Sequence, residues 1–402
     1  MRIAYLTTRL PFPPVGGDRM RVYYTLRHLL RSHDVTLYTL GSRVRLGGAS
    51  DDSSLPGLRQ KTFPMSKTAY AWNGAKALCS KLPFQVNLYE CPDLARALDE
   101  DIRSGAVDLL FVHLVRMAEY ARHYDGVPRV LDMADSIYRH YTRMRQIWWS
   151  PQWAGARMDR DRMRQYETDV TKWFDKVLIH TDEDLDWVRN ESGASNLVQS
   201  PMGVDTDEFA FYSGPYDSNR IVYCGKLDYL PNADAATHFA EEIFPLVKRE
   251  VPAAEFLVVG FNPPRSVRAL ERLPGVRVRA NVPDVRPEVT HAAVSVAPIR
   301  FGAGIQNKIL QSLAMGVPVV ATSLVAGPFG KDSPVLEAQN QKDFASHVVR
   351  LLLDSEYRSR LAQTGRELVE ARFQWEQVME PIDRILEAAS GREAQRLTAA
   401  MP

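Results

Sequence analysis

Short apolar runs of strand length recur along the chain with amphipathic helices between them, an alternation that parallel βαβ construction requires and that sandwiches and bundles lack. Residues 3–7 (IAYLT) read as a buried strand; Val22, Leu26, Leu29 and Leu30 share one helix face, and 35–40 (VTLYTL) return as a second strand. Further strands are expected at 108–113, 129–133 and 176–181. The polar, Gly- and Pro-containing stretch 211–219 (FYSGPYDSN) has the composition of an interdomain linker. Beyond it the pattern restarts, with strands at 221–227, 255–260, 276–280, 294–299 and 318–322 and a helix stripe through Ala236, Phe239, Ala240, Ile243 and Val247. Two successive doubly wound halves predict an α/β protein of two Rossmann-like parallel-sheet domains with an interdomain cleft, and ligand sites at the carboxyl ends of the strands. The expected division is an N-terminal domain over 1–205, a linker over 206–218 and a C-terminal domain over 219–372. A helix over 373–390, apolar through Trp375, Val378, Ile382 and Ile385, is expected to cross back to the N-terminal domain, with a frayed tail over 391–402.

The balance of 50 Lys and Arg against 49 Asp and Glu leaves a net charge of +1, which argues against wrapping of nucleic acid. Three cysteines without a C-x-x-C pair supply neither a disulfide framework nor a zinc ribbon, and fit a reducing compartment. The opening MRIAYLTT has too short an apolar run for a secretory signal, and no stretch approaches the ~18 apolar residues of a membrane span, so a cytoplasmic location is expected. One segment departs from neutrality: residues 139–165 carry seven Arg against Asp159 and Asp161, with three tryptophans. Arg and Trp together suit peripheral contact with anionic headgroups at the inner face of a membrane, or a phosphate-bearing acceptor; the alternative is a solvated helix packing its tryptophans on the N-terminal domain.

The most informative segment is 301–322, FGAGIQNKILQSLAMGVPVVAT. A strand ends at Ile299, Gly302 and Gly304 allow close backbone approach, a helix is expected from about Ile305 to Met315, and Gly316-Val317-Pro318 turns into another strand. The start of such a helix would receive a diphosphate, with Lys308 one turn in adding a full charge. The competing reading is a plain tight turn followed by a solvated lysine.

This segment resembles the nucleotide-sugar-binding motif of the retaining two-domain glycosyltransferases of family 4, which have the GT-B fold. The likeness extends through Gly203-Val204-Asp205, Gly225-Lys226, the V-V-G of 258–260 and the F-x-W of 373–375. It is nearest to the bacterial exopolysaccharide sugar-transferase branch, in which a G-K-L-D-Y-x-P-N-like stretch (225–232) and a G-x-G-x-x-N-K-I-L stretch (302–310) occur together. The resemblance implies metal-independent transfer of a sugar from a nucleoside-diphosphate sugar to a glycan or lipid-linked acceptor, with retention, in polysaccharide or glycoconjugate biosynthesis and with no cofactor. It places Gly302, Ala303, Gly304, Ile305 and Gln311 at the donor, and Lys226 and Lys308 at its diphosphate. Two departures stand out. Ala303 and Gln311 occupy the positions of the family's two glutamates, and the second of its two basic residues is missing from 229–232 (YLPN), leaving Lys308 to take over.

In the N-terminal half, Gly16 and Gly17 resemble the family's acceptor-side glycine pair, although a structural turn with Asp18 as helix cap reads equally well. His113 matches a position where the family often has a histidine facing the donor sugar; the alternative is a satisfied strand-end histidine. Asp132 and Asp135 end another strand and could orient or deprotonate an acceptor hydroxyl, or merely cap and turn. The Asp-x-Asp triplets at 159–161 and 205–207 lie among arginines and beside the linker, so no metal is expected. Two other functions compete. A nucleotide-dependent oxidoreductase is disfavoured by the Pro-rich turn after the first strand and by Asn307 in the third glycine place of G-x-G-x-x-G. A catalytically silent binding or scaffold protein is suggested by Ala303 and Gln311.

Overall fold

The computed structural model describes residues 1–14, 16–41, 55–144, 151–302, 304–330 and 332–399. The chain forms two compact units, Met1–Pro201 with Met379–Pro402, and Met202–Val378. In the first, β1 (Arg2–Thr7), β2 (Asp34–Thr39), β3 (Arg59–Thr62), β4 (Leu109–His113), β5 (Arg129–Ala134), β6 (Lys176–Ile179) and β7 (Leu197–Gln199) make one sheet in the order β3-β2-β1-β4-β5-β6-β7. Every pairing in it is parallel. The inner strands are apolar almost without interruption because a parallel sheet is covered on both faces; all five residues of β4 are buried. The edge strands β3 (RQKT) and β7 (LVQ) escape the sequence reading because an edge needs little burial and their runs are short and polar. Helix α1 (Gly17–Leu29) follows β1 and buries Met20, Val22, Leu26 and Leu29, together with the charged Arg21. Gly16 sits ahead of it at φ +94°, so Asp18 lies inside the first turn, 3.4 Å from Arg9, and is not the expected cap.

The second unit repeats the plan: β8 (Asp217–Lys226), β9 (Glu255–Phe261), β10 (Val276–Ala280), β11 (Ala292–Ala297), β12 (Val319–Thr322) and β13 (Leu336–Ala338) run in the order β10-β9-β8-β11-β12-β13, again parallel. β8 and β9 pass so closely at their ends that a Cβ on Gly260 would lie 1.8 Å from the Gly225 carbonyl oxygen. The stretch expected as a linker, 206–218, is held along this unit. Phe209 is buried, the Tyr212 amide donates to Met315 O (3.1 Å), and the Arg366 guanidinium donates to the carbonyls of Thr206, Phe209 and Ala314. Its glycine and proline suggest a free connection, but its aromatic residues decide the packing.

Two pieces of the family-like pattern also meet here. The Val204 amide donates to Phe373 O at 2.8 Å, and a Cβ on Gly203 would lie 2.5 Å from the Trp375 ring, so these motif residues lock one another in place. The last helix, Trp375–Ala399, begins in this unit, and from Met379 onward it belongs to the first. It runs past Ser390, where the sequence suggests fraying, through residues of high helix propensity such as Ala, Arg and Glu.

Candidate functional site

In the second unit the residues singled out by sequence gather where β8 and β11 end. β11 leads through Ile299 and Arg300 into the glycine segment; Arg300 Nε donates to Asp234 at 2.9 Å, and Thr322 Oγ1 donates to Ile299 O at 2.5 Å, which fixes the loop's entry. Gly302 (φ +143°) and Gly304 (φ +74°) occupy backbone regions that side chains resist, and Ile305 is buried. Ala303 lies outside the described residues. The helix that follows spans Asn307–Ala314, two residues later than expected at its start, since Gln306 serves as its extended N-cap.

Lys308, in the first turn of that helix, is not a solvated lysine. Its Nζ donates to Asn232 Oδ1 (2.6 Å) and to the Tyr223 hydroxyl (3.0 Å), and lies 4.6 Å from the centre of the Tyr223 ring. Tyr223 in turn donates to Asn232 Oδ1, and the Asn232 amide donates to Lys226 O. Burial pushes the Lys308 ammonium down to about 8. Lys226 ends β8 with an exposed side chain 3.6 Å from Asp228. Gln311, half-buried, is one turn beyond Lys308 and therefore shares its helix face. Asn232 and Tyr223 are the residues that sequence reading missed. At 229–232 the resemblance points to a lysine, whereas the asparagine there holds a lysine coming from elsewhere.

In the first unit a second cluster lies at the carboxyl ends of β4, β5 and β6. Asp132 and Arg21 form a fully buried ion pair, with Nε 2.8 Å from Oδ2. Burial alone would raise the Asp132 pKa, but the Arg21 charge and His113 hold it far below the usual range. His113 Nδ1 is 3.4 Å from Asp132 Oδ2, and neither ring nitrogen of this buried histidine has a hydrogen-bond partner among the described residues. His180 approaches from β6, its Nε2 3.7 Å from Asp132 Oδ1 and its Nδ1 3.8 Å from Asp135 Oδ1. Leu114 (φ +70°) and Ala134 (φ +66°), beside His113 and Asp135, adopt left-handed backbone, a strain that tends to collect at functional sites. Gly16 precedes, and Gly17 begins, the helix that supplies Arg21. Arg21 and His180 were not singled out from sequence. His180 carried the same signal as His113, a histidine closing an apolar strand run.

The two aspartates differ in what they can do. Asp132 is spent on Arg21. Asp135 is pushed up to about 7 by burial and by the charges of Asp184 and Asp132, and its Oδ1 has no hydrogen-bond partner among the described residues, which suits proton exchange near neutrality. Glu167, which accepts from Ser136 Oγ (2.7 Å) and the Ile137 amide (2.6 Å), is raised by burial to about 8. Such acids bind more protons folded than unfolded, so their contribution to stability falls as pH rises through these values. His140 and His180, lowered by burial to about 4 and about 3, act oppositely, but only below about pH 6.5. The melting temperature should therefore drop between about pH 6.5 and about 8, and Asp135→Asn should flatten that drop. Equal slopes for variant and parent would refute the assignment.

The arginines of 139–165 are largely answered inside this unit. Arg139 pairs with Asp184 and Glu183, Arg143 with Glu183, and Arg164 with Glu191. Residues 145–150 lie outside the described set. Among the described residues no group of three His, Cys, Asp or Glu side chains is arranged to hold a metal ion.

Residues 218–354 match the family model of glycosyl transferases group 1. No curated protein matches the chain in sequence. Among solved structures, sucrose-phosphate synthase from Thermosynechococcus elongatus shares 15% identity at a TM-score of 0.71, over 100% of both chains. HepE from Anabaena, solved with UDP and glucose, shares 10% at 0.66 over 96% of this chain and 100% of its own. WaaG, a glycosyltransferase involved in lipopolysaccharide biosynthesis, shares 15% at 0.64 over 95% and 99%. This full-length likeness establishes the fold: two Rossmann-like parallel-sheet domains of the GT-B class.

Proposed function

We propose that the chain is a glycosyltransferase that moves a sugar from a nucleoside-diphosphate sugar to a glycan or lipid-linked acceptor, with retention and without a metal, in polysaccharide or glycoconjugate assembly. The observation that carries the reading is Lys308, drawn off the helix surface and held by Asn232 and Tyr223 beside the glycine segment. It lies within the stretch that matches glycosyl transferases group 1. A structural neighbour solved with UDP and glucose, HepE, fits the same donor class. The start of the Asn307–Ala314 helix, Lys308 and Lys226 would stabilise charge on the departing diphosphate, with Gln311 at the ribose. The anomeric carbon loses its bond to the diphosphate oxygen and gains one to the acceptor oxygen on the same face, and the acceptor proton leaves with the phosphate. In the first unit the candidate groups are His113, which the resemblance sets toward the donor sugar, and Asp135, on the acceptor side. The free cysteines Cys79, Cys91 and Cys224 accord with a cytoplasmic site of action.

A thermal-shift panel of UDP, GDP and ADP with their glucose conjugates tests the reading, because a ligand of the native state raises the melting temperature by mass action. One nucleotide should shift the transition, and its sugar conjugate should be hydrolysed slowly without acceptor. No shift with any of them would sink the donor assignment; a shift without turnover would favour the scaffold reading prompted by Gln311.

A further inference from the structure

The first unit carries an apolar helix face that is left exposed among the described residues. Helix α2 (Lys67–Cys79) carries apolar residues on its outer side as well as on its inner one, a pattern expected of a helix covered on both sides. Its inner side is fastened to the unit. Ser66 caps the Ala69 amide, Asn73 Nδ2 donates to the carbonyls of Leu88 (3.3 Å) and Glu90 (2.9 Å), and Arg162 donates to Ala77 O. The outer side cannot turn inward, and it consists of Ala71, Trp72, Ala75, Leu78 and Cys79, all exposed. These positions recur at spacings of three, four and seven residues and so form one continuous face. Trp72 is 74% exposed and Leu78 65%, and Phe84, 38% exposed, extends the face beside Gly74.

Charge says what covers this face. Between residues 53 and 89 the chain has no Asp or Glu, while Arg59, Lys61, Lys67, Lys76 and Lys81 fall in that span. Lys61 is met by Asp101, and Arg59 lies 3.9 Å from Asp34. Lys67 and Lys76 border the apolar face on its two sides, Lys76 also touching Glu90, and Lys81 lies just past the helix end. Apolar residues centred on a tryptophan and edged by lysines with long stems match the boundary between acyl chains and anionic headgroups. A second copy of the chain would set lysine borders against lysine borders, which is repulsive. Among the described residues no helix is long and apolar enough to cross a membrane, so the contact would lie in the surface.

We propose that α2 docks the protein on an anionic lipid surface, burying Trp72, Leu78 and Phe84 at the headgroup boundary with Lys67, Lys76 and Lys81 reaching the phosphates. The proposal does not rest on sugar transfer, since binding is read without any nucleotide. The test is co-sedimentation with phosphatidylcholine vesicles with and without phosphatidylglycerol, at low and high salt. The parent should bind the anionic vesicles and release at high salt. Trp72→Ser/Leu78→Ser should weaken binding by about tenfold or more, and Lys67→Ser/Lys81→Ser by about tenfold at low salt. All these side chains are exposed, so melting temperatures should match the parent's. Absence of parent binding to anionic vesicles, or parental binding by Trp72→Ser/Leu78→Ser, overturns the proposal. A parent dimer that this variant turns into a monomer also overturns it, and makes a second copy the occupant.

Discussion

Arg21→Met is expected to destabilise the first unit by about 3–5 kcal/mol, because it strands a buried carboxylate. Arg21 and Asp132 are both fully buried, and besides Asp132 the guanidinium donates to Pro201 O (3.0 Å) and Ser200 Oγ (2.6 Å). Among the described residues Asp132 would keep two histidines at 3.4 and 3.7 Å, neither well placed to replace a cation. The pH dependence should steepen as well. In the parent the depressed Asp132 pKa contributes stability above the ordinary carboxylate range, lost only as pH falls through the folded value. Without Arg21, burial raises that pKa, so between about pH 5 and about pH 7.5 the variant should lose more stability than the parent does. Hydrogen exchange of the β4 and β5 amides reports on this unit separately from the other. The double variant Arg21→Met/Asp132→Leu should recover most of the loss, since replacing both partners of a buried pair costs little. A single variant within about 1 kcal/mol of the parent would show that the pair does not hold these strands together.

The alternation of apolar runs exposed the sheets because burial on both faces forces inner parallel strands to be apolar throughout, as in β1 and β4. What sequence could not show was pairing at a distance. Arg21 sits inside the apolar stripe of α1 among Val22 and Leu26, and only the fold shows that Asp132, far along the chain, takes its charge. The choice between Asp132 and Asp135 as a proton acceptor turned on that partner. In the Arg-rich stretch the excess charge is local in sequence, and in space Glu183, Asp184 and Glu191 from the helix Asp182–Ser192 pair with Arg139, Arg143 and Arg164. In the second unit the glycines and Lys308 were legible because they fall within one short segment. Asn232 and Tyr223, which set where Lys308 points, were not.

Lys308→Ala should weaken nucleoside-diphosphate binding by roughly 1.5–3 kcal/mol, or about ten- to a hundredfold, the worth of a charge-assisted hydrogen bond. The fold should survive, because Tyr223 still donates to Asn232 Oδ1 at 3.0 Å when the ammonium is gone. Geometry aims the group at the end of β8, since a Cβ on Gly225 would lie 3.3 Å from its Nζ. The ammonium is held down to about 8 by burial, so it is charged below that pH and neutral above it. A bound diphosphate favours the charged form and raises this pKa. Affinity should therefore decline as pH rises past about 8, and binding near that pH should take up a proton, seen as a calorimetric enthalpy that varies with the buffer. Lys308→Ala should show neither effect. Cys224, pushed up to about 11 by burial, stays a thiol throughout and does not confuse the reading. Gln311→Glu should bind as well as the parent or better, since a carboxylate accepts from both ribose hydroxyls with charge assistance. Undiminished binding by Lys308→Ala, with parent affinity flat between about pH 7 and about 9, would mean that the diphosphate is held elsewhere. The half-buried lysine would then serve only to tie the helix Asn307–Ala314 to β8 through Tyr223 and Asn232.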